Sequence, residues 1–184
     1  GLLRTTRQNY HDRIATALIE QSPTSQTPDL IGIAHHQHAA NNIEQALVWY
    51  RRAAEHATNA GSLREALEIV NRAFEILNEF EGSDNERDRQ ELELLITKQP
   101  VVAALEGYAG DEINRISLRG LDLAIALGER NKESAILFQI ATMHEVRGEY
   151  ALTQATLARR NLLIREPSDS GPIIENGELM ACST

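Results

Sequence analysis

The segment NIEQALVWYRRAAEHATNAGSLREALEIVNRAFEILNEFEG, residues 42–82, holds two helical stretches, each with its own start and stop signal. Asn42 stands where a cap accepts the free backbone amides of a first helix, which runs to Ala60 and stops at Gly61. Ser62 caps a second helix, which runs to Glu81 and stops at Gly82. Two helices with a glycine between them form a hairpin. A hairpin cannot bury both its faces alone, so it calls for neighbours.

The neighbours are readable on both sides. Upstream, LLRTTRQNYHDRIATALIEQ carries Tyr10, Ile14 and Leu18 at a spacing of four, an amphipathic helix stopped by Ser22 and Pro23. PTSQTP is a loop, and Asp29 opens a short helix to about Ala40. Downstream, Ser83 or Asp84 caps a helix whose charged first half, NERDRQELE, leads into LLITKQPVVAALEG. Pro100 removes a backbone donor and clashes with the preceding turn, so this helix is expected to kink or split there. Asp111 opens EINRISLRGLDLAIAL, closed by Gly128. KESAILFQIATMHEVR closes at Gly148, YALTQATLARRNLLIRE closes before Pro167, and IIENGELMACST begins one more helix. The sum is about nine helices, with no period-two alternation between hairpin turns. The predicted class is all-α.

Helix pairs begin near residues 43, 86, 132 and 172, at intervals of about 43, 46 and 40 residues. Glycines mark the inner turns (Gly61, Gly107 with Gly110, Gly148), and Gly82 and Gly128 mark outer ones. A fixed period of this size predicts an α-solenoid of antiparallel helix hairpins. Residues 1–27 are expected to be a helix and loop ending an upstream domain, and residues 28–184 the hairpin array, its last hairpin truncated.

Composition narrows the function classes. Apolar residues make up 42% of the 184, which excludes disorder by composition. Aromatics are 4%, while Ala, Leu and other strong helix formers are plentiful. Against 18 basic residues stand 27 acidic ones, a net charge of −9 that suits neither nucleic acid nor an anionic membrane surface. The one cysteine, Cys182, excludes an internal disulfide and a cysteine-based zinc cluster. No apolar run approaches the roughly 18 residues that cross a bilayer. The first residues show no signal-peptide core. A cytoplasmic segment of a longer protein is expected.

The small residues then carry a resemblance. Tyr50, Ala53, Ala54, Gly61, Ala66, Val70 and Ala73 fall on positions 4, 7, 8, 15, 20, 24 and 27 of the tetratricopeptide pattern. Leu137, Ile140, Ala141, Gly148 and Tyr150 fall on positions 4, 7, 8, 15 and 17 of a second copy. Thr153 and Leu157 continue that copy acceptably, but Arg160 replaces its small residue. Ala46, Tyr50 and Ala53 also fit positions 20, 24 and 27, leaving the role of the 43–59 helix ambiguous. The chain resembles tetratricopeptide-like repeats. The order of its features, from RQNYHDRIATALIE through AHHQHAANN to GYAG and GELMACS, resembles the helical-repeat region of bacterial STAND-type signalling ATPases. Those proteins are often joined to adenylate or guanylate cyclase domains or to LuxR-type DNA-binding domains.

The resemblance implies a right-handed solenoid that is not itself an enzyme and carries no cofactor. It implies a scaffold that binds a protein or peptide, or flanking domains of its own chain, in a groove lined by the first helix of each hairpin. Arg51, Glu55, Asn59, Phe138, Thr142 and Glu145 fall on groove-lining positions. The alternative is an effector-sensing domain that holds a small molecule.

Other candidates for chemistry are weaker. His35 and His38 share a helix face and His36 points about 100° away, half a zinc site with no matching partner; packing accounts for them better than metal. His144-Glu145 lacks the second histidine of a zinc protease, and neither a P-loop nor a nucleophile elbow occurs. GYAGDE is read as turn residues with an Asp111 cap. Arg4, Arg7 and Arg13, and the run EFEGSDNERDRQELE, are read as solvated faces, with domain contact or docking as the alternatives. Gly120, inside a helix, is expected to mark close contact with a neighbour. The segment IIENGELMACST is expected to be poorly ordered or covered by a second copy of the chain, giving a dimer with Cys182 near the contact.

Overall fold

A computed structural model describes residues 2–21 and 29–165. They form eight helices: α1 (Leu2–Gln21), α2 (Leu30–Ala39), α3 (Ile43–Asn59), α4 (Leu63–Leu77), α5 (Asp84–Glu106), α6 (Asp111–Ala126), α7 (Arg130–Val146) and α8 (Tyr150–Arg165). No strand occurs among the described residues. The expected ninth helix, at 172–184, and the expected domain boundary at 27/28 lie outside the described residues. Each helix packs against the next in the chain, and α3 also reaches α5.

One turn recurs four times. After α2, α3, α6 and α7 the chain places Asn41, Gly61, Gly128 and Gly148 at φ of 69°, 78°, 68° and 73°. The following amide then bonds five residues back: Asn42 to Gln37, Ser62 to Ala57, Glu129 to Ala124 and Glu149 to His144, all at 2.8–2.9 Å. This is a Schellman end, in which a left-handed residue lets two amides satisfy the last carbonyls of the helix. Glycine serves because it has no Cβ to clash in that conformation; Asn41 is the tolerated substitute. The turn leaves the cap roles of Asn42 and Ser62 unused, since neither side chain bonds its own helix. Asn42 instead donates to Asp12 and Gln37. Ser83 caps as expected, exchanging bonds with Glu86 in a full capping box.

Two boundaries differ from expectation. Helix α4 stops at Leu77, not Glu81. The amides of Asn78, Glu79 and Phe80 tighten to carbonyls three residues back, and Phe80 folds onto the core of α2–α4. A side chain at Gly82 would collide with the Phe80 ring, which explains the glycine there. Helix α5 runs unsplit through Pro100. Pro100 is exposed, so the carbonyl it frees costs little, while Gln99, Val101 and Val102 beside it are buried and hold the helix straight through.

Helix α5 is the wall between two cores. Leu94 and Val101 join the cluster built on α2, α3 and α4, with Ile33, Leu47, Val70 and Ile76 at its centre. Leu92, Leu95 and Val102 join the cluster of α6 and α7, with Ile113, Leu123, Leu137 and Met143. A buried polar knot crosses the second: Gln99 Nε2 donates to Ser117 Oγ at 2.8 Å, and that hydroxyl lies 2.8 Å from the Ile113 carbonyl and 3.4 Å from Met143 Sδ. Gly120 is buried, and a Cβ there would touch the Ile136 terminal methyl at 3.4 Å, the close contact with α7 that a mid-helix glycine implies.

Two substitutions test this packing. Ser117→Ala strands the buried Gln99 amide and is expected to cost about 1–3 kcal/mol in urea unfolding. At Gly120, Ala gains helix propensity and asks only a flexible methyl to yield, so it is expected to raise stability by about 0.5–1 kcal/mol. Leu at the same position has no space and is expected to lower it by about 1–3 kcal/mol.

Candidate binding face

The six groove residues lie on two helices, α3 and α7. On α3, Arg51 is half-buried and Glu55 and Asn59 are exposed; on α7, Phe138 and Glu145 are exposed and Thr142 half-buried. Helix α5 stands between these two sets. Arg51 is held across that gap, Nη1 to Glu93 Oε2 at 2.8 Å, with Glu55 at 3.9 Å. Phe138 lies instead under Arg160 of α8, the guanidinium carbon 5.3 Å from the ring centroid, a cation–π contact. Thr142 donates its hydroxyl to the Phe138 carbonyl.

What the structure does bring together is a chain of alternating charge over α3, α5 and α7. Arg51 meets Glu93; Glu93 Oε1 meets Lys132 at 2.9 Å; Lys132 meets Glu129 at 3.3 Å; Glu129 meets Arg89 at 2.6 Å. Glu93 thus serves two cations from two helices with its two oxygens. Burial works to lower the pKa of the Lys132 ammonium, but its bonds to Glu93 and Glu129 outweigh that and hold it above the usual value. Arg89 and Glu93 sit four apart in the charged run read from sequence as a solvated face. That i, i+4 spacing was the available signal; their partners lie tens of residues away.

A second feature opens on α4, α5 and α6: a cleft of about 520 Å³ with Phe74, Leu95 and Ile116 as apolar lining and Lys98, Glu112 and Arg119 as charged lining. Lys98 bonds Glu112 at 3.0 Å and lies 5.7 Å from the Phe74 ring. Burial pushes the Glu112 carboxyl up, but Arg115 and Lys98 more than reverse it, so it titrates below the usual range. Arg119 forks onto both oxygens of Glu91, at 2.8 and 2.7 Å.

The histidines of α2 make contacts beyond their own helix. His38 reaches Glu79 beyond α4 at 2.9 Å, while His35 and His36 gather at His11 of α1. Among the described residues no group of three or more His, Cys, Asp and Glu is placed to hold a metal ion. The hydroxyls of Thr6, Thr16, Thr58, Thr97, Thr142 and Thr153 each donate to the carbonyl four residues back, not to a base. Among the described residues no helix is long and apolar enough to cross a membrane. Compared with known proteins, the chain matches no family model, no curated protein and no solved structure.

The ion-pair chain is testable. Glu93→Ala leaves Arg51 and Lys132 facing each other without their shared anion. Because all three are partly exposed, the expected loss is about 1 kcal/mol in dilute buffer, shrinking toward zero at about 1 M salt in a chemical melt.

Proposed function

We propose that the chain is a non-catalytic, tetratricopeptide-like helical-repeat scaffold, a right-handed solenoid that mediates protein–protein contact within a larger bacterial regulatory ATPase. The observation that carries the reading is the recurrence of one hairpin geometry at the matched positions. Tyr50, Ala53, Ala54, Ala66, Val70 and Ala73 are all buried, as are Leu137, Ile140, Ala141 and Thr153, and Gly61 and Gly148 take the same left-handed turn. Small buried residues at these positions let helix backbones approach within a hairpin. The partner is a protein or peptide, or a flanking domain, and the setting cytoplasmic. A second copy meeting the chain through residues 172–184 belongs to the same reading; Leu152, Leu162 and Ile164 of α8 are exposed and leave apolar surface on that helix.

The cleft between α4 and α6 favours a second reading, a small-molecule effector site, because it pairs an apolar lining with a few convergent charges.

One experiment separates the two. Peptides selected from a random display library are titrated against wild type and Phe138→Ala, and wild type and Ile116→Asn are both melted against a metabolite panel. Scaffold binding predicts that Phe138→Ala weakens the selected peptides about tenfold or more, since an exposed aromatic is the strongest anchor on this face. It also predicts no metabolite shift. Peptides indifferent to Phe138→Ala, together with a metabolite that raises the melting temperature only when Ile116 is intact, would replace the scaffold with the effector site.

A further inference from the structure

Helix α1 is held by very little. Of its 20 residues only Ala15 is buried, Leu18 and Ile19 pack partly on the core, and α2 is its principal contact. At the centre of that contact, His11 Nδ1 and His36 Nδ1 stand 2.8 Å apart, with ring centroids at 5.0 Å. His35 stands nearly edge-on to both rings, at 6.2 and 5.4 Å. Two imidazole nitrogens at hydrogen-bond distance share one proton: one donates and the other must be bare to accept. When both rings are imidazolium, both Nδ1 atoms carry protons, no acceptor remains, and two cations meet in a partly buried contact beside a third histidine.

We propose that the His11–His36 pair is a proton-controlled latch: its Nδ1–H···Nδ1 bond fastens α1 to α2, survives one added proton as a bond from an imidazolium to a neutral imidazole, and is lost, releasing α1, when both rings are protonated. The neighbouring charges are mixed. On α1, Arg7 lies one turn before His11, and Asp12 follows it, its carboxylate accepting from the Asn42 amide at 2.9 Å and keeping its charge. On the α2 side, Asp29 favours a charged His36, while His35 and His11 oppose it. From α3, Arg51 is held by Glu93, Arg52 stacks on Trp49, and His56 lines a cleft with Asp29 at the start of α2; Glu44 lines a separate cleft with Glu79. His38 is held by Glu79.

Burial first, then the His11 and His35 imidazoles, hold His36 below the ordinary histidine range. A base whose pKa is lower docked than free takes up its proton in the free state. The latch is therefore closed above the free histidine value, roughly 6.5, and opens as pH falls through that value toward the docked one.

Hydrogen exchange corrected for its intrinsic pH dependence reads this directly. Between about pH 7.5 and pH 5.0, protection in residues 2–21 is expected to fall about tenfold or more, while α5 and α6 change little. In His36→Gln, which keeps a hydrogen-bonding side chain that does not titrate, α1 protection is expected to lose that pH dependence. The wild-type chain gives an independent reading by ¹⁵N histidine resonances, in which His36 should titrate below the ordinary histidine range. A wild-type α1 that loosens only together with α5 and α6, an unchanged pH response in His36→Gln, or a His36 ring that titrates as an ordinary imidazole would each overturn the latch.

Discussion

Helix α5 is apolar on both flanks because it lies between two cores, and most of the structure depends on that burial. Leu94 and Val101 face one cluster, Leu92 and Val102 the other, and all four are essentially inaccessible. Each such side chain contributes about 1.5–3 kcal/mol on burial, so the four together outweigh the roughly 3 kcal/mol that an interior proline costs a helix. The balance explains why Pro100 leaves α5 whole. It also explains why the polar ties converge here: Glu93 grips α3 and α7, and Gln99 grips Ser117 of α6. A helix buried on two sides can offer a polar side chain to every neighbour.

Hairpin ends were legible because their chemistry is local. A glycine needed at positive φ sits where the helix stops, so Gly61, Gly128 and Gly148 could be placed from sequence. Asn41 performs the same turn but was passed over for Asn42, since asparagine is both an N-cap and a left-handed residue and two stand together. The end of α4 was misplaced because Asn78–Phe80 is helix-compatible in pattern, and only the inward pull of Phe80 tightens it. The charge chain was illegible for another reason. Arg51 and Glu93 are 42 positions apart, and their meeting depends on how α3 and α5 are turned against each other, which no local periodicity states. The same holds for His11 and His36, joined across residues 22–28.

On the proposed scaffold reading, the chain of charges shapes what a partner meets. Arg51, Glu93, Lys132 and Glu129 already satisfy one another, and a ligand that takes one must leave another unpaired in a partly buried place. Recognition then falls on groups outside that chain of ion pairs: Phe138, exposed beside Arg160, and the exposed Asn59 and Glu145. The ion pairs act as a brace for the face, and the contact energy comes from its apolar and rim positions.

The contrast between α5 and α1 sets which part of the molecule a small free energy can move. One pKa unit is about 1.4 kcal/mol. Against α5, with its many fully buried side chains, that is a minor fraction of what holds the helix. Against α1, whose apolar contact is Ala15 with parts of Leu18 and Ile19, the same free energy is a larger share of what holds the helix. A histidine pair placed anywhere along α5 would only shave stability from the core. Placed between α1 and α2 it can change a conformation, because the helix it holds has little else to hold it.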